Sequence, residues 1–285
     1  MLGVTLKTWM KVSAAVLITA MICVPVAATV FGDDTETLNV AGSTTVQPLM
    51  IELQKEFEKF ANVNMNVTGG GSGVGVSSTL NGVADIGMLS RNLKTGEGDG
   101  KLVSHTIALD AVVVIVNRSA GLPVTGGVYD LTIGQIAKIY SGEFTRWSDL
   151  GGADIPIAVI AREEGSGTRD CFDSALKVKV KEKDVMLLNN TNAVLTAVND
   201  INGAIGYVNF NVSGGLQSNT VKVIVNGIEA TAGTISDKTY PISRELILVT
   251  NGTEAGMAKF FIDWVLSKDG QDIVENAGFV RVVTI

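Results

Sequence analysis

Residues 38–60 read LNVAGSTTVQPLMIELQKEFEKF, and this stretch decides the fold class. The apolar run at its start predicts a buried strand that ends in a turn at Gly42. Pro48 falls in the first turn of a helix, where a missing N–H costs little. Apolar residues recur there at spacings of three and four, which predicts an inward helix face formed by Val46, Leu49, Leu53, Phe57 and Phe60.

The same order of elements recurs along the chain. Residues 64–68 alternate like a strand and lead into the glycine-rich turn 69–75, after which a helix follows. Residues 155–161 predict another strand, which runs into the turn 162–168 and a further helix. Strand–turn–helix units in series predict an α/β fold with parallel sheets.

The composition is that of a globular protein. The chain has 285 residues, of which 46% are hydrophobic and 18% charged, so we expect one large domain or two lobes. A formal charge of −7 argues against a broad basic surface for nucleic acid. Local hydrogen-bond donors can nevertheless hold an anion inside an acidic protein. Cys171 stands apart from Cys23, and a buried, inert thiol is expected there.

The N-terminus reads as a targeting segment. Lys7 and Lys11 precede the uncharged, largely apolar run 12–31, which is typical of a secretory signal and is also long enough to span a bilayer. We assign residues 1–28 to a signal peptide or, alternatively, an uncleaved membrane anchor, and residues 29–37 to a linker. Either assignment places the remaining chain outside the cytoplasmic membrane.

Three turns share one chemistry. Residues 42–45, 71–73 and 165–168 each combine Gly with Ser or Thr between a predicted strand and a predicted helix. A helix N-terminus offers unpaired N–H groups and a partial positive charge, Gly permits close approach, and hydroxyls add donors. Together the three turns predict a pocket for a tetrahedral oxyanion that needs no Lys.

Arg162 lies four residues before Ser166, just ahead of the third turn. A guanidinium fork can hold two oxygens of one tetrahedral ion. The alternative is an ion pair at the surface with Glu163 or Glu164.

Other chemistries fit less well. No Gly-Lys-Ser/Thr follows the turn 69–75, and a dinucleotide fingerprint begun at Gly69 places Val74 at its third glycine. His105 is the single histidine, and Ser166 lacks a nucleophile-elbow motif, so we expect no enzyme activity. We also expect no cofactor and no metal, since no metal-binding loop spacing relates the candidate acids Asp85, Asp110 and Glu164.

Taken together, these segments resemble the phosphate-binding subunit of Pst-type ABC transporters, a branch of the periplasmic-binding-protein superfamily. The likeness covers about residues 38–283. The motifs that carry it are Val40-Ala41-Gly42-Ser43-Thr44-Thr45-Val46, Gly71-Ser72-Gly73, Asp85-Ile86-Gly87-Met88, Arg162-Glu163-Glu164-Gly165-Ser166-Gly167-Thr168-Arg169 and Tyr240-Pro241-Ile242-Ser243-Arg244.

The resemblance implies a type II periplasmic-binding-protein-like fold, with two α/β lobes joined by two crossing strands. The crossings are expected near Val112–Val114 and Arg244–Ile247. The first lobe would comprise residues 38–112 plus 244–285, and the second lobe residues 113–243. Such lobes close on their ligand by a hinge motion.

The resemblance also implies a ligand set. From the first lobe, phosphate would be held by Thr44, Thr45, Ser72 and Ser90. From the second lobe, it would be held by Arg162, Ser166, Gly167 and Thr168. Supporting roles are expected for Ser43, Gly71, Arg91 and Glu164, with Glu164 pairing with Arg162 and orienting it.

Ser90 departs from the best-known pattern of this family, in which an Asp accepts the proton of bound hydrogen phosphate. The implied partners are inorganic phosphate and the permease and ATPase subunits at the membrane, with no nucleic acid and a monomeric chain. Ser90 leaves open a receptor for another oxyanion, such as sulfate, molybdate or tungstate. A phosphate-ester hydrolase and a surface sensor or adhesion module are the remaining alternatives.

Overall fold

A computed structural model describes residues 35–125, 128–178 and 184–282. The predicted leader 1–28 and most of the predicted linker 29–37 lie outside these residues. Within the described part, every helix is too short or too polar to cross a bilayer.

Strands and helices alternate along most of the described chain. The strands are β1 Glu36–Gly42, β2 Val63–Gly69, β3 Ile86–Leu89, β4 Leu102–Asn117, β5 Val124–Thr125, β6 Val128–Leu131, β7 Ala158–Arg162, β8 Val185–Leu188, β9 Ala204–Asn209, β10 Thr220–Val225 and β11 Ser243–Asn251. The helices are α1 Gln47–Phe57, α2 Ser72–Leu80, α3 Ile133–Tyr140, α4 Gly167–Leu176, α5 Thr191–Asp200, α6 Ala232–Ser236, α7 Gly256–Leu266 and α8 Lys268–Asn276.

The first three strands form a parallel sheet in the order β2-β1-β3. Helix α1 follows β1 and buries Leu49, Leu53 and Phe57, as the periodicity predicts. The prediction for Phe60 is wrong, because α1 ends at Phe57 and the Phe60 side chain remains 52% exposed. The parallel arrangement brings the carboxyl ends of β1, β2 and β3 to one edge of the sheet.

The long strand β4 changes partners along its length. Its first part, through Ala111, pairs antiparallel with β11. From Val112 onward it pairs antiparallel with β9, and its end also pairs with β10. The change of partners therefore lies where the family resemblance places a crossing strand, and the amide of Val112 donates to the carbonyl of Ile242 just before β11.

A second parallel group contains β8, β7 and β9. Arg162 is the last residue of β7, and its amide donates to the hydroxyl of Tyr207 on β9 at 3.0 Å. Phe172 on α4 stacks on the Tyr207 ring, with 4.0 Å between ring centroids. Burial raises the pKa of Tyr207, so its hydroxyl stays protonated. These contacts join the end of β7 to β9 and pack α4 against β9.

Helix α2 lies unusually close to the first sheet because glycine occupies the contact. A Cβ atom on Gly75 would lie 2.6 Å from the carbonyl oxygen of Met88 and 3.3 Å from that of Ala41. Real Cβ atoms do not approach backbone this closely. Gly75 thus sets the depth at which Ser72, at the start of α2, meets the ends of β1 and β3.

We expect Gly75→Ala to lower the free energy of unfolding by about 1–2 kcal/mol, since overpacking against backbone outweighs alanine's helix propensity. Urea unfolding measures this. Gly214→Ala is the control, because a Cβ there meets nothing within 4 Å. A Gly75→Ala protein as stable as the wild type would contradict the role assigned to the close contact.

Candidate anion-binding site

Three serine hydroxyls meet at the carboxyl edge of the first sheet. Ser43 follows β1, Ser72 opens α2 after β2, and Ser90 follows β3. The Ser43 hydroxyl donates to Ser90 Oγ at 3.0 Å, and Ser72 Oγ lies 3.4 Å from Ser90 Oγ. All three residues are at most 2% exposed. The first two predicted turns and Ser90 therefore form one buried polar cluster.

The third predicted turn lies directly against this cluster. Thr168 Oγ1 is 3.0 Å from Thr45 Oγ1, and the amide of Gly73 donates to the carbonyl of Gly165 at 3.2 Å. A Cβ atom on Gly167 would lie 2.6 Å from Ser90 Oγ, so only glycine allows this approach. Residues from the two parallel strand groups, β2-β1-β3 and β8-β7-β9, thus share one site.

Backbone amides direct the hydroxyl protons of the serine cluster. Ser43 Oγ accepts the amides of Thr45 and Val46, at 3.2 and 3.4 Å. Ser72 Oγ accepts the amide of Ser90 at 3.0 Å. A hydroxyl whose oxygen already accepts an N–H has its own proton left to donate. The Ser43 proton goes to Ser90 Oγ, so the hydroxyls of Ser72 and Ser90 are the ones that can donate to a ligand with mainly acceptor oxygens.

Helix N-termini add to the donor character of the site. Ser166 is the N-cap of α4, and its hydroxyl accepts the amide of Arg169. Gly71, which the sequence predicts as a supporting residue, precedes α2 with a φ of 92°, a conformation that favours glycine. The first turns of α2 and α4 lie next to each other, so the partial positive ends of two helices are close together.

Arg162 is a fully buried cation of the site, with 1% exposure. Its Nη2 donates to Thr44 Oγ1 at 3.0 Å, and its Nη1 donates to Thr191 Oγ1 at 3.3 Å. Its Nε and Nη2 each lie 2.8 Å from a carboxylate oxygen of Glu163. One edge of the guanidinium fork is therefore held by a carboxylate, and Nη1 keeps an N–H that can meet an anion.

The prediction that Glu164 pairs with Arg162 is wrong. Glu163 follows β7 directly and supplies the carboxylate. The amide of Ser166 donates to the carbonyl of Glu163 at 3.3 Å, and the turn closed by this bond leaves Glu164 exposed. The tight turn therefore places the carboxylate of Glu163, and not that of the next residue, Glu164, beside Arg162.

Arg91, predicted as a supporting residue, lies behind the site with its donors on carboxylates. It bonds to Asp170 through Nε at 2.8 Å and to Glu97 through Nη1 at 2.6 Å. Burial opposes ionisation of Glu97, but the hydrogen bonds from Arg91 and the Lys94 amide and the charges of both residues together outweigh it and hold the pKa of that carboxyl below its usual value. Arg91 therefore ties the segment after β3 to α4, the helix that carries Asp170.

Two buried residues of the site escaped the sequence prediction. Arg244 on β11 donates to Asp110 Oδ2 from Nε at 2.8 Å and from Nη2 at 2.6 Å. Its Nη1 reaches Thr168 Oγ1 at 2.9 Å. Asp110 is the single acid within the apolar run 107–116, a pattern that signals a paired buried charge. Thr191 was also missed, although it opens α5 with the same strand–turn–helix order as the three predicted turns.

Hydrolysis or redox chemistry would need a reactive histidine or thiol at the hydroxyl cluster. His105 Nε2 is 3.4 Å from Glu254 Oε2 and, within the described residues, makes no hydrogen bond to the three serines. Burial raises the pKa of the Cys171 thiol to about 11, which keeps it protonated near neutral pH. Over the described ranges, no three His, Cys, Asp or Glu side chains group in a way that would hold a metal ion.

The pairing of Arg162 can be tested with two neighbouring variants. Glu163→Gln leaves a buried guanidinium without its carboxylate and should lower the free energy of unfolding by about 1–2 kcal/mol. Glu164→Gln should change it by less than about 0.5 kcal/mol. Urea unfolding in an anion-free buffer measures both. Equal effects of the two variants would contradict the assignment.

Known proteins resemble this chain over most of its length. A family model described as a PBP superfamily domain matches residues 29–269. The phosphate-binding protein PstS of Bacillus subtilis is 31% identical over 250 residues, 86% of this chain and 80% of that protein. The phosphate-binding protein PstS of Borreliella burgdorferi is 30% identical over 264 residues, 88% of this chain and 92% of that protein.

Solved structures of phosphate-binding proteins also resemble this chain. A substrate-binding protein attributed to a phosphate ABC transporter of Clostridium perfringens, solved with bound phosphate, is 35% identical with a TM-score of 0.77, covering 87% of this chain and all (100%) of that chain. An ABC-type phosphate transport receptor from Vibrio cholerae is 29% identical with a TM-score of 0.73, covering 86% of this chain and 100% of that chain. The chain therefore belongs to the periplasmic-binding-protein (PBP) superfamily and, within it, to the PstS-type phosphate-binding proteins.

Proposed function

We propose that this protein captures inorganic phosphate and delivers it to the permease of an ABC transporter. The observation that carries the proposal is the convergence of three donor-rich turns and Arg162 on one buried cluster. Phosphate near neutral pH carries charge on several acceptor oxygens, which such a cluster can satisfy. The relatives' names, and the bound phosphate of the Clostridium perfringens protein, support the same ligand.

Each half of the site has a role in the proposal. Donors after β1, β2 and β3 hold phosphate from one side: Thr44, Thr45, Ser72 and Ser90. The segment from the end of β7 to the start of α4 holds it from the other side: Arg162, Ser166, Gly167 and Thr168. Ser43 and Gly71 shape the first side, and Arg91 fixes α4 against the segment after β3.

Two lobes that close on phosphate fit the topology. The change of partners on β4 at Val112 supports a first lobe of residues 38–112 plus 244–285 and a second lobe of residues 113–243. Closure would bring Thr168 to Thr45 and Gly165 to Gly73, the contacts seen in this structure. We propose further that the protein is a monomer, performs no catalysis, and works at the outer face of the cell membrane, either after leader cleavage or held by residues 1–28.

A receptor for another oxyanion is the second candidate. Within the described residues, no carboxylate is hydrogen-bonded to Ser43, Ser72 or Ser90. The family resemblance, in addition, aligns Ser90 with the position of an Asp. An Asp discriminates strongly, because it needs the proton that phosphate carries and sulfate lacks. A hydroxyl can accept such a proton but rejects sulfate less strongly.

Calorimetric titration of the purified protein with phosphate, sulfate and arsenate tests the proposal. We expect binding of phosphate and much weaker binding of sulfate. Absence of phosphate binding would contradict the proposed function. Equal affinity for sulfate would favour the second candidate, and repeating the titration across pH separates the two, since only phosphate changes protonation near neutrality.

Arg162→Ala should weaken phosphate binding by at least roughly 2 kcal/mol, because it removes a charged donor from a buried site. Arg146→Ala is the matched control, since Arg146 pairs with Asp154 and is 44% exposed. Calorimetry gives the affinities and circular dichroism verifies the fold. An unchanged dissociation constant for Arg162→Ala would remove that residue from the site.

A further inference from the structure

The ion pair between Asp110 and Arg244 lies at the point where β4 changes partners. The two residues stand opposite each other in the register of β4 and β11. Both nitrogens on one edge of the guanidinium bond to Asp110 Oδ2, and the side chains are 0% and 3% exposed. A buried pair of this kind adds little net stability, because desolvation offsets its attraction. The geometry of the pair therefore says more about its role than its contribution to stability does.

The pair contacts both parts of the anion site. Arg244 Nη1 donates to the carbonyl of Ser90 at 3.4 Å and to Thr168 Oγ1 at 2.9 Å. The remaining oxygen of Asp110 accepts the amide of Phe210, just after β9, at 3.0 Å. A single guanidinium thus joins the segment after β3 to the first turn of α4, and Asp110 fixes the plane of that guanidinium.

The bond to Thr168 also determines what its hydroxyl does. An N–H from Arg244 occupies a lone pair of Thr168 Oγ1, so the hydroxyl proton is left to donate. Thr45 Oγ1, at 3.0 Å, is the neighbour within reach in this structure. With an anion in the site, the same proton can point to an anion oxygen.

The charge of Arg244 is not what attracts an anion, because Asp110 neutralises it at contact distance. Arg162 is likewise matched by Glu163. The effect of Arg244 on binding must therefore come from orientation. Its bonds to Ser90 and Thr168 exist together only when the two sides of the site are in contact.

We propose that Arg244 is a positioning residue of the anion site, which joins Ser90 to Thr168 and holds the Thr168 hydroxyl as a donor. The inference rests on the proposed function. Because the bond to Thr168 forms only in the assembled site, loss of Arg244 speeds release of phosphate and leaves its capture rate nearly unchanged.

A double-mutant cycle with Arg244→Lys and Thr168→Val tests this role. Lysine keeps the charge opposite Asp110 but lacks the planar fork that reaches both partners. Arg244→Lys should weaken phosphate binding about tenfold, since a charge-assisted hydrogen bond is lost. In the Thr168→Val background, the same change should have less than about a threefold effect. Independent, multiplying effects of the two changes would overturn the proposal.

Stopped-flow kinetics supplies the second readout, which a merely structural role would not produce. We expect the dissociation rate of phosphate from Arg244→Lys to rise about tenfold, with the association rate within about a factor of two. Arg146→Lys, at an exposed ion pair, should change neither rate. A slower association rate with unchanged dissociation would overturn the proposal.

A folding control for each variant and the affinity of the wild-type protein make the result unambiguous. Unfolding temperatures without phosphate show whether each variant is folded. If Arg244→Lys does not fold, the double variant Asp110→Asn with Arg244→Gln replaces it, because this neutral pair leaves no unpaired charge. The same rise in dissociation rate is expected.

Failure of the wild-type protein to bind phosphate would reject the proposed function. Binding by the wild type without coupling in the cycle would reject only the role of Arg244.

Discussion

The close approach of the first turns of α2 and α4 is the constraint on which the rest of the structure depends. Two helix N-termini with partial positive charge lie side by side, with the amide of Gly73 donating to the carbonyl of Gly165. Such an arrangement collects donors in excess of acceptors, and like partial charges oppose it. An anion between the two turns relieves both problems. The same local physics therefore favours an anion as the ligand of a site built from hydroxyls and amides.

The fold meets this constraint through strand direction and glycine contacts. Parallel β1, β2 and β3 end at one edge, and β7 ends at a corresponding edge of the second parallel group. The long strand β4 belongs to the pairing of both groups, which brings the two edges together. Gly75 and Gly167 then allow contacts that any Cβ atom would prevent. The site depends on backbone geometry first and on side-chain chemistry second.

The local sequence pattern is sufficient to predict the strand–turn–helix order and the three turns, because those features depend on neighbouring residues. It failed where the outcome depended on a single turn or a distant partner. Glu163 and Glu164 are adjacent acids, and only the turn closed by Ser166 decides which one faces Arg162. Arg244 and Asp110 are 134 residues apart, so no motif contains both. A lone acid in an apolar strand indicates that a buried partner exists but cannot identify it.

The buried arginines explain how a chain with a formal charge of −7 can hold an anion. Arg162 is matched by Glu163, Arg244 by Asp110, and Arg91 by Glu97 and Asp170. Each guanidinium thus contributes direction more than net charge. Attraction in the proposed site then rests on hydroxyl and amide donors, such as Ser72, whose oxygen already accepts an N–H group. In the proposed site, the choice among oxyanions would follow from where each proton lies, so the proposal makes Ser90, which stands where the family resemblance expects an Asp, the residue on which discrimination between phosphate and sulfate depends.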